Sequence, residues 1–208
     1  RFGGGGFAAQ ARVSGTNLKV ADTREYFALI SPGIDVEANS KGARLGGEIT
    51  IPEARIRPRS IPPGVQTPSR DVVLIGQEQA TQFPLTIDLR LKLGDKVTID
   101  AFGVRGRLAG ELALLQSPGR EMLGDGQLQI IDGQYRLTTK FGLAAEIGAP
   151  LNIVQGRMIF ARSPIDNPGL FIQAERDGGA TVAGIRVLGT LLDPKLAFFS
   201  ETDPGMTQ

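Results

Sequence analysis

The chain of 208 residues contains no histidine, no cysteine and no tryptophan. Without histidine, it cannot form a Ser-His-Asp or Cys-His nucleophile system, an HExxH zinc helix or a histidine proton shuttle. Without cysteine, it has neither a disulfide framework nor a cysteine-based zinc site. These absences remove the commonest catalytic and metal-binding chemistry. We therefore expect a protein that is not an enzyme and uses no cofactor.

Asp125, Asp132 and Asp177 stand next to glycine. None of them lies in the D-x-[DN]-x-[DN]-G pattern of a calcium loop or in the glycine-rich nonapeptide repeat. We interpret them as turn residues and predict no metal site.

The charges are balanced, with 23 lysines and arginines against 22 aspartates and glutamates. Such a chain has no long-range field that would attract a polyanion, so we expect no nucleic-acid partner. No run approaches the ~20 consecutive apolar residues of a membrane-spanning helix. The first six residues, RFGGGG, lack the hydrophobic region of a signal peptide. We therefore expect the chain to be an internal fragment of a longer protein.

Glycine is abundant, with 28 residues, whereas the 13 prolines are near the usual frequency. This balance favours turns and bulges over helices. Aliphatic residues occupy every second position through most of residues 97–114 and again through residues 124–143, with polar residues between them. That is the period of a strand with one apolar face, and the chain as a whole predicts an all-β protein.

The most regular alternation covers residues 85–93, with leucine or isoleucine at every odd position. It predicts a strand, and Gly94-Asp95 predicts a hairpin turn into the next strand at Val97.

Prolines mark the places where regular strands should be interrupted. Pro52 cannot donate to a strand ladder, so we expect a strand edge or a bulge there. Four prolines between residues 58 and 68 begin a stretch with little strand character. We predict one β-domain over residues 1–208, with a Pro-rich excursion at about residues 58–83.

The apolar phase changes between odd and even positions near Gly103, Gly133 and Gly156. A slip of one residue turns every following side chain to the opposite face, so the chain must bulge or bend at these points. Glycine tolerates the backbone conformations that a bend requires. We therefore predict bends at these three glycines across a long sheet.

The strands present an apolar side, and no amphipathic helix is predicted that could cover it. A sandwich or closed barrel would cover this side with a second wall and fill it with its own side chains. A sheet that curls without closing would leave an apolar groove for a ligand. The alternation alone favours the self-filled core. A transmembrane barrel would need aromatic girdles, whereas the chain has no tryptophan and only Tyr26 and Tyr135.

Several segments with strand-like alternation follow one another along the chain. They are SPGIDVEA at 31–38, GEITIPEARI at 47–56, VTIDAFGVRGRLAGELAL at 97–114, GQLQIIDGQYR at 126–136, PLNIVQGRMIFARSP at 150–164 and VAGIRVLGTLLDPKLAFFSETDPGMTQ at 182–208. In this order they resemble the C-terminal domain of the TamB family, which belongs to the AsmA-like proteins of the Gram-negative envelope. The resemblance covers nearly the whole chain.

The resemblance implies a long, curved, open, taco-like β-sheet with an apolar concave face. It implies a place in a periplasmic bridge whose full-length protein is anchored in the inner membrane and reaches the outer membrane. The implied roles are the transfer of phospholipid between the two membranes and assistance in outer-membrane protein assembly. The implied protein partner is TamA, an outer-membrane barrel of the Omp85 class, which would bind parts of the full protein outside this fragment.

In an open groove, acyl chains would lie against the aliphatic residues, and the removal of apolar area from water would drive binding. The predicted lipid-groove residues are Leu85, Ile87, Leu89, Leu91, Val97, Ile99, Leu108, Leu112, Leu128, Ile130, Ile153, Met158, Ile172, Ile185 and Val187. The alternative function is a scaffold without lipid cargo, in which exposed strand edges template the β-strands of an outer-membrane client by β-augmentation.

Overall fold

The computed structural model describes residues 7–58, 84–101, 103–138, 146–177 and 181–202, and these residues form β-strands and no helix. The strands are β1 at Ala8–Ser14, β2 at Leu18–Asp22, β3 at Tyr26–Asn39, β4 at Gly42–Ile56, β5 at Leu85–Ala101, β6 at Val104–Gln116, β7 at Leu123–Thr138, β8 at Glu146–Pro164, β9 at Gly169–Asp177, β10 at Thr181–Thr190 and β11 at Pro194–Thr202. The all-β prediction is confirmed.

All eleven strands belong to one sheet. Their order is β1-β3-β4-β5-β6-β7-β8-β9-β10-β11, and β2 pairs with β3 beside β1. β1 and β11 lie at opposite ends, and no described strand joins them, so the sheet stays open. The self-filled sandwich or closed barrel that the alternation favoured is therefore wrong, and the open sheet implied by the resemblance is confirmed.

Neighbouring strands are antiparallel except β4 and β5, which are parallel. A parallel pair cannot be joined by a tight hairpin and requires a long connection. Here that connection comprises residues 57–84. The Pro-rich excursion predicted at about residues 58–83 falls in it, and residues 59–83 lie outside the described residues.

The hairpin predicted at Gly94-Asp95 is wrong, because β5 continues through these residues as one strand of 17 residues. Its register against β4 slips there, so the two residues belong to a bulge. The chain reverses later, at Gly103, where Ala101 pairs directly with Val104. A bulge and a tight turn both favour glycine beside a short polar residue, so the same sequence signal predicts either.

Register irregularities occur at the same level in several strands. They lie near Val20 in β2, at Pro52 in β4, at residues 94–96 in β5, at Asp132 in β7 and at Val154 in β8. The pairing of successive strands places these positions in a line across the sheet, which we call the crease. Bulges bend a strand and increase its twist, so a line of them bends the sheet. The interruption predicted at Pro52 is confirmed.

The most deeply buried side chains lie beside the crease. Val97 and Ile185 are 2% exposed and Ala174 is 1% exposed. A flat single layer leaves both faces open to water, so this burial requires the sheet to bend toward the face that carries these residues. Met158 of β8 packs against the cluster that contains Val97 and Leu108, although even Leu108 of β6 lies two strand spacings, roughly 10 Å, from β8 in a flat sheet. The curved sheet with an apolar concave face is confirmed.

The ends of the strands form two rims on either side of the crease. The first rim contains the connections β3–β4, β6–β7, β8–β9 and β10–β11. The second rim contains the β2–β3 and β5–β6 connections.

Candidate functional site

The concave face is the candidate functional site, and the cross-strand register defines its members. Leu91 lies opposite Leu112, and Leu128 lies opposite Met158. Continued from β5 to β10, the same pairing places every predicted lipid-groove residue on this one face. Their contact with lipid stays a prediction.

Burial divides these residues into two groups. The buried members, which form the floor, are Ile87, Leu89, Val97, Leu108, Leu112 and Ile185. The half-buried members are Leu85, Leu91, Ile99, Leu128, Ile130, Ile153, Met158, Ile172 and Val187. A ligand can contact the half-buried group directly, whereas the side chain of Val97 is already enclosed by its neighbours.

The same face carries further aliphatic and aromatic residues that belong with the predicted set. Ile49 and Leu93 lie beside the predicted residues of β5, and Leu114 and Phe160 extend the face on β6 and β8. Their sequence signal is the same alternation, which continues beyond the residues first selected. Phe160 is 6% exposed and belongs to the floor.

The ion pairs between β4 and β5 lie on the opposite, convex face. Lys92 Nζ lies 2.9 Å from Glu48 Oε2, and Arg44 Nη2 lies 3.7 Å from Asp88 Oδ2, in both cases across the β4–β5 pair. No polar or charged residue among those the structure describes is buried. The floor of the concave face therefore contains no buried charge that would need a partner. Arg176, opposite Ala183, shares this face but is exposed near the end of β9.

Glycines shape the floor where β6, β7 and β8 cross the crease. A methyl group added at Gly133 would lie 2.7 Å from Ile130 Cγ2, and one added at Gly156 would lie 2.8 Å from Ile130 Cβ. One added at Gly106 would lie 2.9 Å from Ile130 Cγ2. The three glycines thus form a socket for Ile130. The alternation alone does not single out Gly106, which changes no phase.

Of the three glycines predicted as bends, two lie beside register irregularities within strands and one lies in a turn between strands. Gly133 follows Asp132, whose φ is 51°, at the β7 irregularity. Gly156 follows the irregularity at Val154 in β8. Gly103 lies in the turn between β5 and β6 with φ 82°, and its carbonyl accepts a hydrogen bond from the Arg136 N–H at 2.8 Å.

Tyr135 adds a polar group to the concave face. It lies opposite Val104 of β6 and Leu151 of β8. Burial raises the pKa of its hydroxyl above the ordinary value, because the charged form loses solvation. The environment on this part of the face is therefore partly dehydrated before any ligand binds.

The apolar face continues to the open edge of the sheet at β11. Leu196 lies opposite Val187, and Phe198 lies opposite Ile185. Leu196 is 53% exposed and Phe198 is 72% exposed. The concave face thus ends in exposed apolar side chains beside a strand that pairs on only one side with a described strand.

A separate pocket of about 100 Å³ lies at the second rim. Its lining residues are Thr23, Arg24, Glu25, Tyr26, Phe27, Arg55 and Arg57. Most of these side chains are polar or charged, so the pocket is unsuited to an acyl chain and is distinct from the concave face.

None of the described residues belongs to a helix with the length and apolar character that a membrane crossing needs. Within the described ranges, no group of three or more carboxylates is arranged to hold a metal ion.

Comparison with known proteins identifies the family. The sequence matches the TamB C-terminal domain over residues 6–208. A protein of Haemophilus influenzae named translocation and assembly module subunit TamB is 31% identical over 191 residues, which cover 82% of this chain and 14% of that protein. The chain therefore spans about one seventh of the length of that relative. By these matches, the chain belongs to the TamB family through its C-terminal domain.

Proposed function

We propose that the concave face carries the acyl chains of phospholipid between the inner and outer membranes, as one segment of a periplasmic bridge. The observation that carries this proposal is an apolar face without a buried charge, half-buried along its walls, with no second layer among the described residues to cover it. The full-length protein would be anchored in the inner membrane. It would act in a translocation and assembly module with a TamA-like barrel of the Omp85 class.

The dimensions of the sheet fit this role. The ten strands of the main path, spaced at ~4.8 Å, extend over roughly 43 Å. The acyl chains of one bilayer leaflet span about half of the ~30 Å hydrocarbon core. The concave face is therefore long enough for more than one chain placed end to end.

The energetics also support an acyl ligand. Each methylene group moved from water to an apolar surface contributes about 0.8 kcal/mol. The half-buried walls, including Leu91 and Ile172, still expose apolar area that a chain would cover. The head groups would stay outside, because the floor of the face has no buried charged residue to pair with them.

Two neighbouring residues of β7 give a matched test. Leu128 lies on the concave face and is half-buried, whereas Gln129 lies on the convex face and is exposed. Each is replaced by glutamate, and phospholipid bound to the purified protein is quantified by mass spectrometry. We expect Leu128→Glu to lose phospholipid because an acyl chain would leave the carboxylate without solvent or a partner. Gln129→Glu should retain it.

Circular dichroism of both variants verifies that the sheet is intact. Equal phospholipid in the two variants would contradict the proposal. So would a wild-type protein that takes up no phospholipid from phosphatidylethanolamine vesicles.

The second candidate is a scaffold that templates client strands, and the open edge of β11 favours it. An edge strand presents unpaired N–H and C=O groups to which a client strand can add. Crosslinking separates the candidates: contacts of the β11 backbone edge with a client protein support templating, and contacts of concave side chains with acyl chains support lipid transfer.

A further inference from the structure

The β10–β11 connection at the first rim exposes two adjacent leucines. Leu191 is 50% exposed and Leu192 is 71% exposed. They lie outside both flanking strands, which end at Thr190 and resume at Pro194. Neither sheet packing nor a turn requirement explains two large apolar side chains at this tip. Exposed apolar groups of this kind mark interaction sites.

The backbone N–H groups of this connection are paired although the loop is exposed. The N–H of Leu191 donates to the Pro168 carbonyl, and the N–H of Leu192 donates to Asn167 Oδ1, both at 3.0 Å. The next N–H, of Asp193, donates across the loop to a carbonyl at 3.2 Å. The β8–β9 connection therefore holds the leucines in place while their side chains point outward.

Exposed leucine side chains together with paired backbone N–H groups fit a fluid apolar phase better than a protein surface. Entry into lipid is costly for a backbone donor without a partner, because the hydrocarbon offers none. Here the donors of both leucines are already paired within the protein. A protein partner would gain directional recognition from free backbone donors, and the N–H groups of these two residues are already paired.

Two other connections of the first rim differ in composition. The β3–β4 connection contains Ser40 and Lys41, and the β6–β7 connection contains Ser117, Arg120 and Glu121. These loops favour water. The apolar loop instead stands beside β11, where the concave face ends in exposed apolar side chains.

We propose that Leu191 and Leu192 insert into the interfacial region of a lipid bilayer and dock the end of the concave face against it. The link between this contact and acyl chains on the concave face rests on the proposed function, whereas insertion itself does not. Asp193 and Lys195 follow the leucines and would remain among the head groups.

The first test is flotation of the protein with vesicles of phosphatidylethanolamine containing a minority of phosphatidylglycerol. The double variant Leu191→Ser/Leu192→Ser should bind the vesicles at least about tenfold more weakly than the wild type, because two apolar side chains are lost. The control is Val154→Ser on β8. Val154 is 49% exposed, a fraction similar to that of Leu191, but it lies at the crease and away from the rim. The control should float like the wild type.

The second test uses the absence of tryptophan from the chain. Leu192→Trp and Val154→Trp each introduce a single reporter. On addition of vesicles, the emission of the Leu192 variant should shift to shorter wavelength and be quenched by brominated phosphatidylcholine. The emission of the Val154 variant should not change. An unchanged emission of the Leu192 variant would overturn the proposal, as would undiminished flotation of the double serine variant.

Two further outcomes are also decisive. If sedimentation shows a dimer that the double serine variant abolishes, and no species floats, the leucines bind a second copy and the bilayer proposal is wrong. If the double serine variant loses flotation but keeps its bound phospholipid, docking and acyl binding are separate, as proposed. If Leu128→Glu loses phospholipid while the double serine variant still floats, docking fails and the proposed function stands.

Discussion

Replacement of Gly133 by alanine should destabilise the sheet, because the site has no room for a methyl group. The added Cβ would lie 2.7 Å from Ile130 Cγ2, 3.0 Å from Ile153 Cδ1 and 3.1 Å from Ile153 Cβ. Carbon atoms in favourable contact are ~3.5–4.0 Å apart. Three contacts would therefore be too short by roughly half an ångström or more.

The expected magnitude follows from two opposing effects. Overpacking of this kind costs typically ~1–3 kcal/mol. Alanine recovers about 0.5–1 kcal/mol of the backbone entropy that glycine loses within a strand. The variant Gly133→Ala should therefore lower the free energy of unfolding by about 1 kcal/mol, within a range of roughly 0–2.5 kcal/mol, measured by urea denaturation with circular dichroism.

A double-mutant cycle tests whether Ile130 is responsible. The variant Ile130→Ala removes Cγ2, so alanine at position 133 should be less costly in that background by about 1 kcal/mol. The control is Gly46→Ala, because its Cβ would meet only the Asp88 carbonyl oxygen at 3.8 Å. The reasoning is refuted if Gly133→Ala costs no more than Gly46→Ala. It is also refuted if the effects at residues 130 and 133 simply add.

Three further predictions concern the turns, the concave face and the convex face. Gly103 and Gly119 have φ values of 82° and 69°, but a methyl group would collide with the Arg136 carbonyl only at Gly103. Gly103→Ala should therefore lower the melting temperature more than Gly119→Ala, and equal losses would contradict this. The pKa of the Tyr135 hydroxyl is higher in the folded protein than in the unfolded chain. As the pH rises above about 10, the unfolded chain therefore loses the hydroxyl proton first, and the stability of the fold should fall. Tyr135→Phe should weaken that fall in thermal melts, and an unchanged pH profile would argue against the assigned environment. Lys92→Ala should cost under ~1 kcal/mol in urea denaturation, with an effect that shrinks at high salt, because its contact with Glu48 is solvent-exposed; a larger or salt-insensitive loss would disagree.

The sequence predicts the faces of the strands well because alternation records the environment of each side chain. Residues as distant as Leu85 and Val187 were expected on one apolar face, and the strand register places them there. The open sheet was expected from the resemblance to the TamB family. The alternation alone could not distinguish an open sheet from a sandwich. Both arrangements bury the same side of each strand.

The sequence predicts an interruption at Pro52, but it does not predict that the irregularities of several strands line up or how deeply each side chain lies. Val97 is 2% exposed, whereas Leu91 in the same strand is half-buried, and both have the same periodic signal. The difference comes from the crease. Its position depends on how bulges in separate strands line up, which the periodic pattern of one strand does not record. The alternation through Gly189 extends to Leu191 and predicts a strand there, but the strand ends first because the β8–β9 connection binds the backbone of the loop.

The central claim is that the concave face contacts acyl chains while the convex face does not. The most direct measurement uses phospholipid with a photoreactive acyl chain, followed by identification of the modified residues by mass spectrometry. Adducts should fall on half-buried concave residues such as Leu91 and Ile172 and should be absent from their convex neighbours Arg90 and Gln173. Adducts spread equally over both faces, or confined to the convex face, would contradict the account.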